Sequence, residues 1–333
     1  SAVDSVSDLD GDDSPELLLG ASDFDDGMGG AWVLTGSDLV SSAQVDLDDS
    51  SWLLWGSGGG FGQAVQDGGD LDGDGLPEIV VAAPNDDGEV YIFSGASLSS
   101  ASVLLAEDAD SILQGMSTVD GLGAAIVALG DLDADGFDDL ALSAPGASEL
   151  AGRVSVIRGD SGWSSGFVDD VATYAVEGDS SGDQAGTALS AGDLDGDGVQ
   201  DLLVGAPMQI TEAGRVHGLS GVDLTSGSAL LGDVAMVSYT GPTVFGYAGS
   251  SLASGGDVDG DGLDDILIVV PWVCYNWLWL LLLFIEEHPH NLCITISIGL
   301  QDQWQERAGR RRVRRRRPGA QLPLVSLHRK TIA

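Results

Sequence analysis

Asp70-Leu71-Asp72-Gly73-Asp74-Gly75-Leu76-Pro77-Glu78 sets acidic side chains at positions 1, 3, 5 and 9 of a nine-residue stretch, with glycine at position 6. The run behind it, Ile79 to Pro84, is apolar and closes on Ala-Pro. The arrangement recurs at Asp8, Asp10, Asp12 and Glu16, at Asp131, Asp133, Asp135 and Asp139, at Asp193, Asp195, Asp197 and Asp201, and at Asp257, Asp259, Asp261 and Asp265. Successive first aspartates lie 62, 61, 62 and 64 residues apart. A period this regular marks a repeat architecture, in which each repeat is one supersecondary unit that buries its faces against its neighbours.

The sequence around each acidic stretch repeats as well. Glu16–Ala21, Ile79–Ala83, Leu140–Ala144, Leu202–Ala206 and Ile266–Val270 read as buried strands, the last four followed by Pro84, Pro145, Pro207 and Pro271. A second strand follows at 31–35, 89–93, 153–157 and 215–219, and an outer strand near 51–56, 110–115, 173–178 and 235–241. Short Val-, Leu- and Ile-rich runs bounded by Gly and Asp predict an all-β array. About four strands per ~60 residues is the size of one propeller blade. The expectation is a β-propeller or an incomplete propeller arc of about five four-stranded blades over 1–271; a parallel β-helix would need a much shorter repeat.

The formal charge is −40 over 333 residues, and it is unevenly spread. Residues 272–333 hold ten of the 13 basic residues and four of the 53 acids, which leaves Arg153, Arg158 and Arg215 against 49 acids in 1–271. So acidic a body repels phosphate, so nucleic acid is excluded as its partner. The charge fits a soluble, cation-loaded, extracellular surface, or adaptation to a salt-rich habitat. Both cysteines, Cys274 and Cys293, lie beyond 271, so disulfides do not hold the body together and neither is given a role. The chain opens on Ser1 without a signal-peptide pattern, the mark of a removed leader or of a fragment.

Ca²⁺ takes six to eight oxygens at roughly 2.3–2.6 Å. Aspartates at alternate positions of a tight loop aim carboxylates into one cavity, while position 7 offers a backbone carbonyl and so tolerates Ser14, Leu76, Phe137, Val199 or Leu263. Glycine at position 6 (Gly75, Gly136, Gly198, Gly262) permits the sharp turn. Asp13 stands there in the first copy, which makes that loop the weakest candidate. The spacing opens like an EF-hand but lacks its position-12 acid and its helices. Without a cation, four carboxylates in nine residues repel one another. All twenty acids are therefore candidate ligands, for up to five Ca²⁺ ions, one per loop. Because each loop joins two strands of one blade, the ion's expected role is structural, with binding linked to folding. Catalysis is not expected: His217 is the only histidine before residue 272, and it falls within a strand.

Phe61-Gly62, the acidic loop, and Ala83-Pro84 together resemble the FG-GAP repeat, named for its Phe-Gly and Gly-Ala-Pro signatures; Gly205-Ala206-Pro207 carries the second outright. That repeat builds the N-terminal β-propeller of integrin α subunits and occurs in many bacterial surface proteins. The resemblance covers 8–271. It departs at Leu122-Gly123, at Gln184-Ala185-Gly186 and at Val270-Pro271. Five copies are fewer than the seven blades of the integrin ring, which implies an incomplete ring or a missing partner segment; an open arc exposes strand edges and an unfinished core. The resemblance further implies a non-catalytic, cell-surface or secreted interaction module that binds protein or glycan through loops of one face. An accessory propeller of a secreted hydrolase, or a structural spacer, is the alternative.

Two short motifs have blander readings. Arg158-Gly159-Asp160 spells an integrin-ligand tripeptide, and Gly159-Asp160-Ser161-Gly162 resembles a serine-protease nucleophile loop. Gly159, however, occupies the slot of Gly36, Gly95 and Gly221, a turn at the end of a strand. Beyond Pro271 the pattern stops: an apolar run to Ile285 precedes Arg310–Arg317. Residues 272–333 read first as a foreign or frame-shifted segment. A membrane anchor at 272–285 and a basic targeting or nucleic-acid patch are the other readings. His288, His290 and Cys293 match no zinc spacing.

Overall fold

In the computed structural model, the described residues are 2–271 except 37, 39–46, 48–49, 99–100, 163, 243 and 255, and the strand residues within 272–274, 277–285, 292–300 and 326–331. They form five consecutive sheets. Blade 1 is Ala2–Val6, Glu16–Ala21, Gly30–Leu34 and Trp52–Trp55. Blade 2 is Ala64–Asp67, Ile79–Ala83, Glu89–Phe93 and Ser111–Gln114, and blade 3 is Ile126–Gly130, Asp139–Ala144, Arg153–Ile157 and Tyr174–Glu177. Blade 4 is Ala188–Gly192, Asp201–Ala206, Arg215–Leu219 and Val237–Thr240. Within each blade the strands are antiparallel and adjacent in chain order, so a meander recurs about every 60 residues. The fold is an incomplete β-propeller.

The second strand of a central blade is apolar at every position because both its faces are covered. Ile79, Val81 and Ala83 pack toward blade 1 with Leu18, Val33, Leu54 and Phe61. Val80 and Ala82 pack toward blade 3 with Leu122, Leu140 and Leu142. Period-two alternation thus sends one strand into two cores. Ala141, Val154 and Val156 meet Leu202 and Val204 at the next junction, and Leu203 and Val216 meet Ile266, Ile268 and Val270 at the last. Blade 1 lacks the second cover: Leu18 is fully buried, Leu17 and Leu19 are half-buried, and Val3 is 66% exposed. Among the described residues, that face of blade 1 has no neighbouring blade packed on it.

The Phe-Gly pair has a packing reason. Phe61 is fully buried and packs edge-on against Tyr91 and Phe93. Gly62, at φ +83°, approaches blade 1 so closely that a Cβ there would lie 2.4 Å from the Gly30 carbonyl oxygen. Leu122-Gly123, Ala185-Gly186 and Ala248-Gly249 take the same place, with the first residue buried and the glycine at φ +86 to +88°. The phenylalanine is thus replaceable by a smaller apolar residue, whereas the glycine is retained for its close approach.

One element has no counterpart in the sequence reading. The long connection between the third and fourth strands of a blade reaches back and adds a parallel strand to the previous blade's outer edge. Val103–Leu105 pairs with Leu53–Trp55, Gly166–Phe167 with Leu113–Gln114, and Gly227–Leu230 with Tyr174–Glu177. These straps cover outer edges and tie each blade to the one before it.

The fifth sheet begins with Leu252–Ala253 and Ile266–Cys274, and adds Trp277–Ile285, Leu292–Leu300 and Ser326–Thr331. Its second strand runs on through Pro271, whereas those of blades 2 to 4 stop before their prolines. Among the described residues no helix is long and apolar enough to cross a membrane, and 277–285 is a strand. Arg310–Arg317, His288 and His290 lie outside the described residues.

Candidate metal centres

Each acidic loop joins the first and second strands of its blade, so all five sit at the same end of the repeat. They are loop 1 (8–16), loop 2 (70–78), loop 3 (131–139), loop 4 (193–201) and loop 5 (257–265). The carboxylates organise the turn before any ion is considered. In loop 4, Asp193 accepts the backbone N–H groups of Gly196, Asp197 and Gly198, Asp195 accepts that of Asp197, and Asp197 accepts that of Val199. Loop 5 repeats this at Asp257, Asp259 and Asp261, with N···O distances of 2.6–3.1 Å. Successive N–H groups turned inward hold the carboxylates on one side, as Asx turns do.

The acid at position 9 has a distinct task. One of its oxygens accepts the N–H of the position-2 residue in every loop: Leu9 to Glu16, Leu71 to Glu78, Leu132 to Asp139, Leu194 to Asp201 and Val258 to Asp265, at 2.6–2.9 Å. Its other oxygen accepts the N–H of the glycine ending the third strand, Gly159 to Asp139 and Gly221 to Asp201, both at 2.9 Å. Glu16, Glu78, Asp139 and Asp201 are accordingly buried. The same contact explains the glycine, since a Cβ on Gly159 would lie 2.4 Å from the Asp138 carbonyl oxygen. Arg158-Gly159-Asp160 is therefore a packed turn with Arg158 directed inward.

One ligand oxygen from each acid comes within 4.8 Å of the others for Asp8, Asp10, Asp12 and Glu16 in loop 1. The corresponding sets are Asp70, Asp72 and Glu78; Asp131, Asp133 and Asp139; Asp193, Asp195 and Asp197; and Asp257, Asp259 and Asp265. Asp74, Asp135, Asp201 and Asp261 stand outside these clusters. Loop 1, which has Asp13 in place of the position-6 glycine, gathers all four of its acids; Asp13 adopts φ +66°, the left-handed conformation glycine takes elsewhere, and aspartate tolerates it better than most residues.

The donor set fits a hard cation. It consists of carboxylate oxygens alone, and the buried Glu16 Oε1 and Asp70 Oδ1 have no hydrogen-bond partner. Burial, reinforced by Asp72 and Asp74, pushes Glu78 up to about 8, despite the N–H bonds from Leu71 and Gly95. Burial also raises Glu16, Asp139 and Asp201. A divalent ion would reverse that cost by supplying the opposite charge.

Two side chains escaped the sequence reading. Asp138 and Asp264, at position 8 of loops 3 and 5, link neighbouring loops. Asp70 donates its N–H to the Asp138 carboxylate at 2.9 Å while Asp138 donates its own to the Asp70 carbonyl. Asp193 and Asp264 repeat the exchange. Position 8 is Pro15, Pro77 and Gln200 in the other loops, so the repeat carries no constant signal there.

His217 is fully buried in the third strand of blade 4, between Gln209 Oε1 at 2.9 Å from Nε2 and Ser238 Oγ at 3.0 Å from Nδ1. Gln209 in turn donates to Asp179. Burial pulls the imidazole down to about 4, so it is neutral at physiological pH.

The model for the FG-GAP repeat matches residues 61–93, 123–157, 185–219 and 248–275, each match running from the Phe-Gly position through the acidic loop to the third strand or beyond the second. This is an FG-GAP repeat protein. Loop 1 lies outside the matched segments of the FG-GAP chain, although its turn is built alike. Integrin alpha-5 of Xenopus laevis is 32% identical over 148 residues, 44% of the FG-GAP chain and 13% of its own length. Integrin alpha-PS2 of Drosophila melanogaster is 31% identical over 151 residues, 43% of the chain and 10% of its own length. Integrin alpha-4 of Xenopus laevis is 33% identical over 156 residues, 44% of the chain and 14% of its own length. The chain thus spans only a small fraction of these relatives.

Proposed function

We propose that this chain is a calcium-binding, non-catalytic interaction module of the adhesion type, working outside the cell or on its surface. The observation that carries the reading is the convergence of carboxylates in every loop at one end of the repeat, with two buried oxygens left without a hydrogen-bond donor. An oxygen-seeking cation relieves such a cluster by supplying the opposite charge. Where an ion binds, it fastens the turn between the first two strands of the blade. The scaffold so held presents its variable connections to a protein or glycan partner, in keeping with the similarity to integrin alpha chains. The buried His217, held between Gln209 and Ser238, supports a scaffold role over a catalytic one.

The test has two arms. Thermal unfolding in about 10 mM Ca²⁺, well above the 10⁻⁴–10⁻³ M affinities of extracellular modules, is expected to show a higher midpoint than in chelator. An unchanged midpoint would end the calcium reading. Beads coated with the chain are then presented to immobilised extracellular-matrix proteins and to a glycan array, with Ca²⁺ and with chelator. Ca²⁺-dependent retention supports the adhesion reading, and no retention on either surface removes it.

A further inference from the structure

Loop 3 differs from its siblings in one decisive respect: it already holds a cation. The residue before the slot glycine is Thr35, Ser94 and Ser220 in blades 1, 2 and 4, and Arg158 in blade 3. The Arg158 side chain is 11% exposed, and its Nη1 is in direct contact with Oδ2 of Asp139, itself 1% exposed. Its Nε lies 3.6 Å from Asp133 Oδ2, and its Nη2 donates to the Leu224 carbonyl at 3.0 Å. Asp133 and Asp139 are two of the three acids that converge in this loop. Asp133 has also left the turn. In loops 1, 2, 4 and 5 the position-3 aspartate accepts the N–H of position 5, at 3.0–3.2 Å, whereas in loop 3 that N–H goes to Asp131 and Asp133 faces the guanidinium.

We propose that Arg158 is the resident cation of loop 3 and excludes Ca²⁺ from it, so that the chain takes four ions and not five. The inference rests on the calcium reading of the other loops. The physical reason is direct. The guanidinium supplies a fixed positive charge beside the oxygens that a metal would take, with one hydrogen bond to Asp139 and an ion pair to Asp133. Ca²⁺ entering beside it would meet both like-charge repulsion and the loss of that bond. Arg158 belongs to blade 3, and Leu224 to the connection that straps blade 4 onto blade 3. The junction between these blades is therefore fastened without metal, while the other loops depend on it.

The test counts bound Ca²⁺ by calorimetric titration and equilibrium dialysis on the full chain and on two variants. Expected are four ions for the native chain, five for Arg158→Ser, which installs the residue of blades 2 and 4, and four for Arg158→Lys, which keeps the charge. Five ions on the native chain would overturn the proposal and leave the calcium reading intact, as would four on Arg158→Ser. No ion on any form would overturn both together. Should Arg158→Ser fold only when about 10 mM Ca²⁺ is present, with five ions bound, the proposal stands, because Ca²⁺ then does the work of the missing arginine. Failure to fold even in Ca²⁺ would count against it, since a vacated site would accept the ion.

Discussion

Replacing Asp201 by alanine should weaken the fold equally with and without calcium. Asp201 is fully buried and accepts the N–H groups of Leu194 and Gly221, both at 2.9 Å. It stands outside the cluster formed by Asp193, Asp195 and Asp197. Truncation leaves two buried donors unpaired, a loss of about 1–3 kcal/mol each. Removing a desolvated charge that Asp195 and Asp197 repel returns part of this. The net is about 2–3 kcal/mol, or roughly 5–10 °C in midpoint for a body of this size. The comparison is Asp195→Ala, which removes an exposed carboxylate from the cluster itself. In chelator the relief of repulsion offsets the lost bond from the Asp197 N–H, which Asp193 also accepts, so that change should cost little. In Ca²⁺ it should forfeit the linkage of one site, about 1.4–2.7 kcal/mol at 10 to 100 times the dissociation constant. The assay is thermal unfolding of both variants and the native chain, by circular dichroism, in about 10 mM CaCl₂ and in EGTA, the calcium level chosen against extracellular affinities. If Asp201→Ala matched the native chain in EGTA, the division of labour in loop 4 between Asp201 and the cluster of Asp193, Asp195 and Asp197 would be refuted. Equal losses for Asp195→Ala in both buffers would refute it from the other side.

Phe61→Ala removes a fully buried ring packed against Tyr91 and Phe93, and should lower stability by about 3–5 kcal/mol in denaturant titration, with Phe61→Leu, the residue of blade 3, retaining most of it. His217 is held near 4 in the fold against an ordinary value of 6.5, so the unfolded chain binds the proton first. Its contribution is whole above pH 6.5 and is lost as pH falls toward 4, by about 3 kcal/mol in all; His217→Gln should flatten that part of the stability profile, and an unchanged slope would count against a buried neutral imidazole. Glu78 works in the opposite sense in chelator. With its value raised from 4.5 to about 8, the fold binds the proton first, so acidification from pH 8 to 6.5, above the range in which His217 titrates, should stabilise the metal-free native chain relative to Glu78→Gln.

Much of the fold is legible in the chain because its determinants are local. The runs at 79–83, 140–144 and 202–206 are apolar at nearly every position, and only a strand covered on both faces needs that. The Asp-x-Asp-x-Asp stretches name their own turns, since each carboxylate bonds an N–H two to five residues away. The candidate sites were legible as stretches but not in their internal roles. Position 9 reads as one more ligand; the fold adds that Glu16, Glu78, Asp139 and Asp201 each accept the N–H of the position-2 residue, and Asp139 and Asp201 also that of a glycine beyond the third strand.

What the one-dimensional pattern determined, then, is the blade: its period, its strands, its acidic turn and the glycine that lets neighbouring blades approach. Only the folded chain decided how blades are joined. The parallel straps pair segments about 50 residues apart, the Asp70–Asp138 and Asp193–Asp264 exchanges span 68 and 71 residues, and Arg158 reaches loop 3 from 19 residues beyond Asp139. A repeat records what every copy shares, because each copy must bury the same faces. Arg158, Asp138 and Asp264 act at single junctions, where the partner comes from another part of the chain and is set by packing rather than by the period.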